Sequence, residues 1–183
     1  MSRTASALRR GAPWLAAVAL CGCGLDTFEV EVEGGTTIVG APLGSALPLT
    51  TLGPLAGLEA IDFTSTKEFE DGGYSADDLD SVKLKTLTLS AVDPQNANLD
   101  FLQAISFFGA ADGQESKLLA GQDPLPQDGT RSVELPGEDV ELKPYVAGGG
   151  LSITTEATGQ LPRYDTQLRV KAVFEVNVNA GIF

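Results

Sequence analysis

Strict alternation of apolar and polar residues is the dominant pattern of this chain. Leu168, Val170, Ala172, Phe174, Val176 and Val178 fall on even positions, while Gln167, Arg169, Lys171, Glu175, Asn177 and Asn179 fall on odd ones. Only Val173 breaks the rule. A period of two puts one set of side chains on each face, so this segment predicts a long antiparallel strand with one buried face. Phe28-Glu29-Val30-Glu31-Val32-Glu33 alternates in the same way. Gly34-Gly35 then predicts a turn, and Thr36-Thr37-Ile38-Val39 a return strand.

Other strands follow between these two. Glu59 to Thr64 alternates briefly, and Val82, Leu84, Leu87, Leu89 and Ala91 mark a longer strand. Its apolar parity changes between Leu84 and Leu87, which predicts a β-bulge near Lys85 and Thr86. Asp93-Pro94-Gln95-Asn96 closes it as a turn. The apolar run from Ala104 to Ala110 predicts a central strand. Lys117 to Ala120, Arg131 to Leu135 and the alternate positions Leu151, Ile153, Thr155 and Ala157 complete the set. Helix is sparse: Ser75 with Asp78 three residues on resembles an N-cap, Leu99 to Leu102 suggests one turn, and Val140 to Tyr145 a short crossover ended by Pro144. About eight or nine short strands with little helix predict an all-β protein. The expected fold is an antiparallel β-sandwich, immunoglobulin-like or jelly-roll, forming a single domain over residues 27–183.

One segment departs from the pattern. From Ile38 to Leu58 the character changes: Pro42, Gly44, Pro48, Gly53, Pro54 and Gly57 interrupt a series of leucines, and no charge occurs between Thr36 and Leu58. Such Gly and Pro density forbids a regular element, while the leucines argue against a solvated linker. The segment is expected to cover one end of the core. A sharper alternative is a carrier or sensor of an apolar ligand, with Leu49, Leu52, Leu55 and Leu58 lining a pocket beside Phe107 and Phe108.

The N-terminus is of another kind. Arg3, Arg9 and Arg10 precede an apolar run of about ten residues ending at Leu20. A membrane-spanning helix needs about 20 residues, so this run reads as the core of a signal peptide. It ends in Leu20-Cys21-Gly22-Cys23, which resembles the lipobox of bacterial lipoprotein precursors. The resemblance implies removal of residues 1–22, a diacylglycerol on the Cys23 sulfur and an acyl chain such as palmitate on its amino group. Residues 23–26 would then form a short tether. Cys21 is the rival acceptor, but Leu20 before it is bulky. Position 24 holds Gly rather than the Asp that favours inner-membrane retention, so the expected location is the cell envelope, the outer membrane before the inner.

Charge and composition narrow the function. The 183 residues include 12 basic, 25 acidic and no His, a formal charge of −13. Removal of the signal peptide leaves 9 basic and 25 acidic residues, a balance of −16. That excludes a nucleic-acid partner and simple electrostatic docking on anionic lipid. Without His there is no Ser-His-Asp triad, and neither Cys lies beyond position 23, so a folded domain after it has no disulfide. The acidic stretch around Glu68 is rich in oxygen ligands, and Glu70, Asp71, Asp77, Asp78 and Asp80 are candidate Ca²⁺ ligands. Their spacing lacks the EF-hand pattern, and a solvated acidic loop is the simpler reading. The sequence therefore predicts no catalytic residue and no cofactor beyond the covalent lipid. It predicts a membrane-anchored envelope lipoprotein whose β-sandwich binds an envelope protein partner or serves a structural role, with a Ca²⁺-stabilised adhesion-like module as a further alternative.

Overall fold

The alternation at the C-terminal end is realised in β8 (Thr166–Asn179), where every even-numbered residue is buried. β8 is flanked on one side by β1 (Leu25–Ile38) and on the other by β3 (Leu79–Asp93), with β6 (Ser132–Pro136) beyond β3. The second sheet runs in the order β2 (Pro48–Leu49), β7 (Ser152–Gln160), β4 (Leu102–Ala110) and β5 (Lys117–Gln122). All pairings are antiparallel, and the apolar faces of the two four-stranded sheets close on one core. The protein is an antiparallel β-sandwich. The computed structural model describes residues 25–41, 47–147 and 150–179, so the predicted signal peptide and Cys23 fall outside the described residues.

The bulge expected at Lys85–Thr86 is present as a register shift between Leu84 and Thr86 against β8. Gly34-Gly35, however, is not a turn. β1 runs straight through it and pairs with β8 from Leu25 opposite Asn179 to Ile38 opposite Thr166. The pair serves close approach instead. A Cβ on Gly34 would stand 2.5 Å from Leu58 Cγ, and Gly35 exchanges backbone hydrogen bonds with Ala56 at 3.0 Å. The bare backbone thus lets the leucine-rich segment lie directly on β1. Two smaller expectations also change. Glu59 to Thr64 forms only a bridge at Ile61 and a 3₁₀ turn, Phe63–Ser65, rather than a strand. Pro144 lies in the first turn of α2 (Lys143–Ala147), where its missing N–H has no helical partner to lose.

Phe63 and Phe174 meet edge to face at 5.0 Å, tying the 3₁₀ turn to the middle of the first sheet. Phe28, Phe69 of α1 (Lys67–Gly72) and Tyr74 form a second aromatic group at the sheet's end. The outer face of this sheet is charged: Lys85 pairs with Glu29 and Lys171 with Glu31, each at 2.5 Å. Exposed pairs of this kind add little stability, but charges along the edge strand β1 discourage edge-to-edge association.

Glu141 has a more structural task. Its carboxylate accepts from the Val82 N–H (2.9 Å), the Lys143 N–H (2.8 Å) and the Ser81 hydroxyl (2.7 Å), fixing α2 to the start of β3. Partial burial pushes its pKa up, but these three donors and nearby Lys83 outweigh that and hold it below the ordinary value of 4.5. A lowered carboxyl stabilises the fold above the unfolded-state value, and that stabilisation is lost as the pH falls through the folded-state value. Thermal melts taken from neutral pH downward are expected to show a steeper acid decline for the parent than for Glu141→Gln. Parallel profiles would remove this role from Glu141.

Candidate functional site

The β1–β8–β3 register gives the sandwich two distinct ends. One carries the start of β1, the start of β3, α1 and the 3₁₀ turn Ala76–Asp78. The other carries the exit of β1 after Ile38, the β3–β4 crossover, residues 94–101, and the β7–β8 loop, residues 161–165.

The acidic residues singled out in the sequence lie at the first end. Glu70 and Asp71 are on α1, Asp77 and Asp78 on the 3₁₀ turn, and Asp80 on β3. Asp78 accepts from the Ser75 hydroxyl at 2.7 Å and the Ser75 N–H at 2.8 Å, and these bonds lower its pKa. Ser75 is thus the N-cap that the sequence suggested, with Asp78 its capping-box partner. Asp71 lies 3.8 Å from Lys67. Beside them the Tyr74 hydroxyl donates to Asp26 at 2.6 Å, a bond that raises the phenol pKa. Among the described residues no three acidic side chains converge as a metal-ion set would. With Asp78 engaged by Ser75 and Asp71 beside Lys67, calorimetry in calcium and in EDTA is expected to give the same melting temperature; a calcium-dependent rise would establish a specific site here.

The predicted apolar ligand residues part company. Leu49, Leu52, Leu55, Leu58 and Phe107 are buried in the core cluster. Phe108, next along β4, projects from the opposite face, where it pairs with Leu118 of β5, 41% exposed. Alternation along β4 separates the two phenylalanines. Leu52 and Leu55 do reach a surface groove of about 310 Å³, shared with Glu59 and residues Ser152 to Thr155 along β7.

Two concavities larger than this groove lie at the other end, on residues that sequence reasoning passed over. One, of about 340 Å³, is lined by Asn96, Asn98, Phe101, Pro162 and others; its neighbour, of about 630 Å³, is lined by Gly40, Asp93 and Asp165. Pro94, Asn96, Arg163 and Tyr164 line both. Tyr164 is 57% exposed, an unusual placement for a large aromatic in a short loop. Arg163 is exposed and has no carboxylate partner among the described residues.

Backbone and side-chain bonds hold these loops rigidly. The Gly40 N–H donates to Asp165 Oδ1 at 2.8 Å, and the Ala41 N–H to the Pro162 carbonyl at 2.8 Å. A Cβ at Gly40 would stand 2.5 Å from the Tyr164 carbonyl carbon, so only Gly admits this approach. The Thr166 hydroxyl donates to the Tyr164 carbonyl at 2.9 Å. In the crossover, Asn98 and Asp100 exchange bonds at 3.2 Å, and Asp100 also accepts from the Gly129 N–H at 2.9 Å. The cleft is thus preformed by loops standing on a rigid scaffold, the usual setting of a recognition site. The signal in the sequence was Pro162-Arg163-Tyr164-Asp165: an aromatic and a cation side by side in a five-residue gap between strands.

Fold and cleft together define an antiparallel β-sandwich with a loop-lined concavity at one end. No family model matches the chain, and no curated protein matches it. Among solved structures it is similar to the BFDV capsid protein in its decameric form, at 12% identity and TM-score 0.41, over 84% of this chain and 99% of that one. It is also similar to the 60-mer form, at 8% identity and TM-score 0.43, over 86% and 95% respectively.

Proposed function

We propose that the protein is a lipid-anchored binding module of the bacterial cell envelope, tethered through Cys23 and engaging its partner with the loop end of the sandwich. The observation that carries the reading is the length and direction of β1. Its 14 residues, at about 3.3 Å each, span about 43 Å from one end of the sandwich to the other. Cys23 precedes β1 by two residues, at most about 7 Å of extended chain. An anchor there holds the acidic end against the bilayer and points the cleft of Arg163 and Tyr164 away from it. The lipobox supports the anchor, and the absence of His and of any thiol beyond Cys23 supports binding rather than catalysis. No helix among the described residues is long and apolar enough to cross a membrane. The anchor is tested by labelling cells with a fatty-acid analogue. Label is expected in the parent and in Cys21→Ala and absent in Cys23→Ala; the reverse pattern would overturn the assignment.

A further inference from the structure

The cleft is charge-mixed in a way that selects a ligand class. Arg163 supplies guanidinium donors, Asn96 supplies an amide that both donates and accepts, and Asp93 and Asp165 supply carboxylate acceptors. Asp165 spends one oxygen on the Gly40 N–H, and its other has no hydrogen-bond partner among the described residues. An inorganic anion or phosphate would meet two carboxylates in this cleft. A cation would meet Arg163. A neutral molecule with many hydroxyls suits both, because each hydroxyl donates one bond and accepts others.

The apolar part of the cleft points the same way. Tyr164, Pro94 and Phe101 give it non-polar surface beside these polar groups. A tyrosine offers a flat ring for the C–H face of a sugar and a hydroxyl at its tip. The two concavities, about 340 and 630 Å³, meet along Arg163 and Tyr164 and fall in the range that holds drug-sized ligands, as a short run of sugar rings would require. The clamp of Gly40 on Asp165 fixes this ridge before binding, which lowers the ordering cost of a weakly adhesive ligand. The acidic balance of the chain adds long-range discrimination against anionic polymers.

We infer that the loop-end cleft binds a neutral glycan segment, with Tyr164 as its stacking platform and Arg163, Asn96, Asp93 and Asp165 as its hydroxyl partners. This rests on the reading of that end as the working face and names its ligand.

The test uses the full chain in detergent micelles, titrated with neutral trimers of glucose, galactose, mannose and N-acetylglucosamine, and with an anionic galacturonate trimer. At least one neutral trimer is expected to bind saturably with Kd below about 1 mM. Tyr164→Ala and Arg163→Ala are each expected to weaken it by about tenfold or more while leaving the melting temperature within about a degree of the parent, both side chains being exposed. The anionic trimer is expected to bind more weakly. The inference is overturned if no neutral trimer binds, if both variants bind as the parent does, or if the anionic trimer binds more tightly. Cleavage of a trimer would overturn binding as the end of the matter and make Asp93 and Asp165 a catalytic pair. A photo-crosslinker placed at position 164 separates the two readings. If it captures an envelope protein while no sugar binds, the working face stands and the glycan falls; if it captures neither, both fall.

Discussion

Phe174→Ala is expected to destabilise the protein by about 3–5 kcal/mol. The ring is fully buried on β8, the strand between β1 and β3, and its cross-strand partners are Val30 and Leu84. It is also the inner half of the edge-to-face pair with Phe63 at 5.0 Å. Removing it opens a cavity that three strands and the 3₁₀ turn border, and strands fixed by ladder hydrogen bonds relax little into such a space. Domains of this size have total stabilities of about 5–15 kcal/mol, so one substitution consumes a large share of the margin. The corresponding fall in melting temperature is about 6–20 °C. Val173→Ala is the internal comparison. Its side chain is only half-buried, on the outer face of the same strand, and its loss is expected to cost about 1 kcal/mol or less. Equal midpoints for the two variants in urea would mean that even-numbered positions of β8 do not face the core.

Cys23→Ala is expected to move the protein from the membrane pellet to the soluble fraction almost completely. Each buried methylene of an acyl chain contributes about 0.8 kcal/mol, and two or three chains give effectively stable attachment. Among the described residues no helix is long and apolar enough to replace them. Basic residues near anionic headgroups contribute about 1 kcal/mol each, but the end of the sandwich nearest Cys23 carries Asp26, Glu68, Glu70, Asp71, Asp77, Asp78 and Asp80. Its electrostatic contribution has the opposite sign. High salt is accordingly expected to leave the parent in the pellet. Pelleting of Cys23→Ala to the parent's extent, or release of the parent by salt, would overturn the covalent anchor.

How far the sequence foretold these features depends on the range of the physics involved. Strands with one wet face announce themselves through period-two alternation, and β8, β3 and β7 did so. The bulge in β3 was legible because a bulge shifts parity, which is a local event. The Gly34-Gly35 pair misled because its cause is not local. Two glycines in a row signal a turn unless another part of the chain needs the space, and Leu58 and Ala56 lie more than twenty residues away. The leucine-rich segment was readable as a cover for the core, but placing Phe107 and Phe108 beside one pocket overlooked the alternation of β4, which sends them to opposite faces. The cleft was not legible, because its residues come from three loops whose convergence depends on strand order. The sequence could show a tyrosine next to an arginine. Only the register could put Gly40, Asp93 and Asp165 beside them.

The position of β1 bears on how the molecule would carry load. An anchor before Leu25 pulls on one end of β1, while a partner held at Arg163 and Tyr164 pulls at the opposite end of the sheet on the start of β8. Hydrogen bonds of an antiparallel ladder lie perpendicular to the strands. Tension along β1 therefore shears its fourteen-residue pairing with β8 as a whole instead of peeling bonds apart one at a time. Because β8 is itself gripped by β3 on its far side, the force passes into the middle of the sheet. A module hung this way resists extraction along its length and yields readily only to a pull across β1.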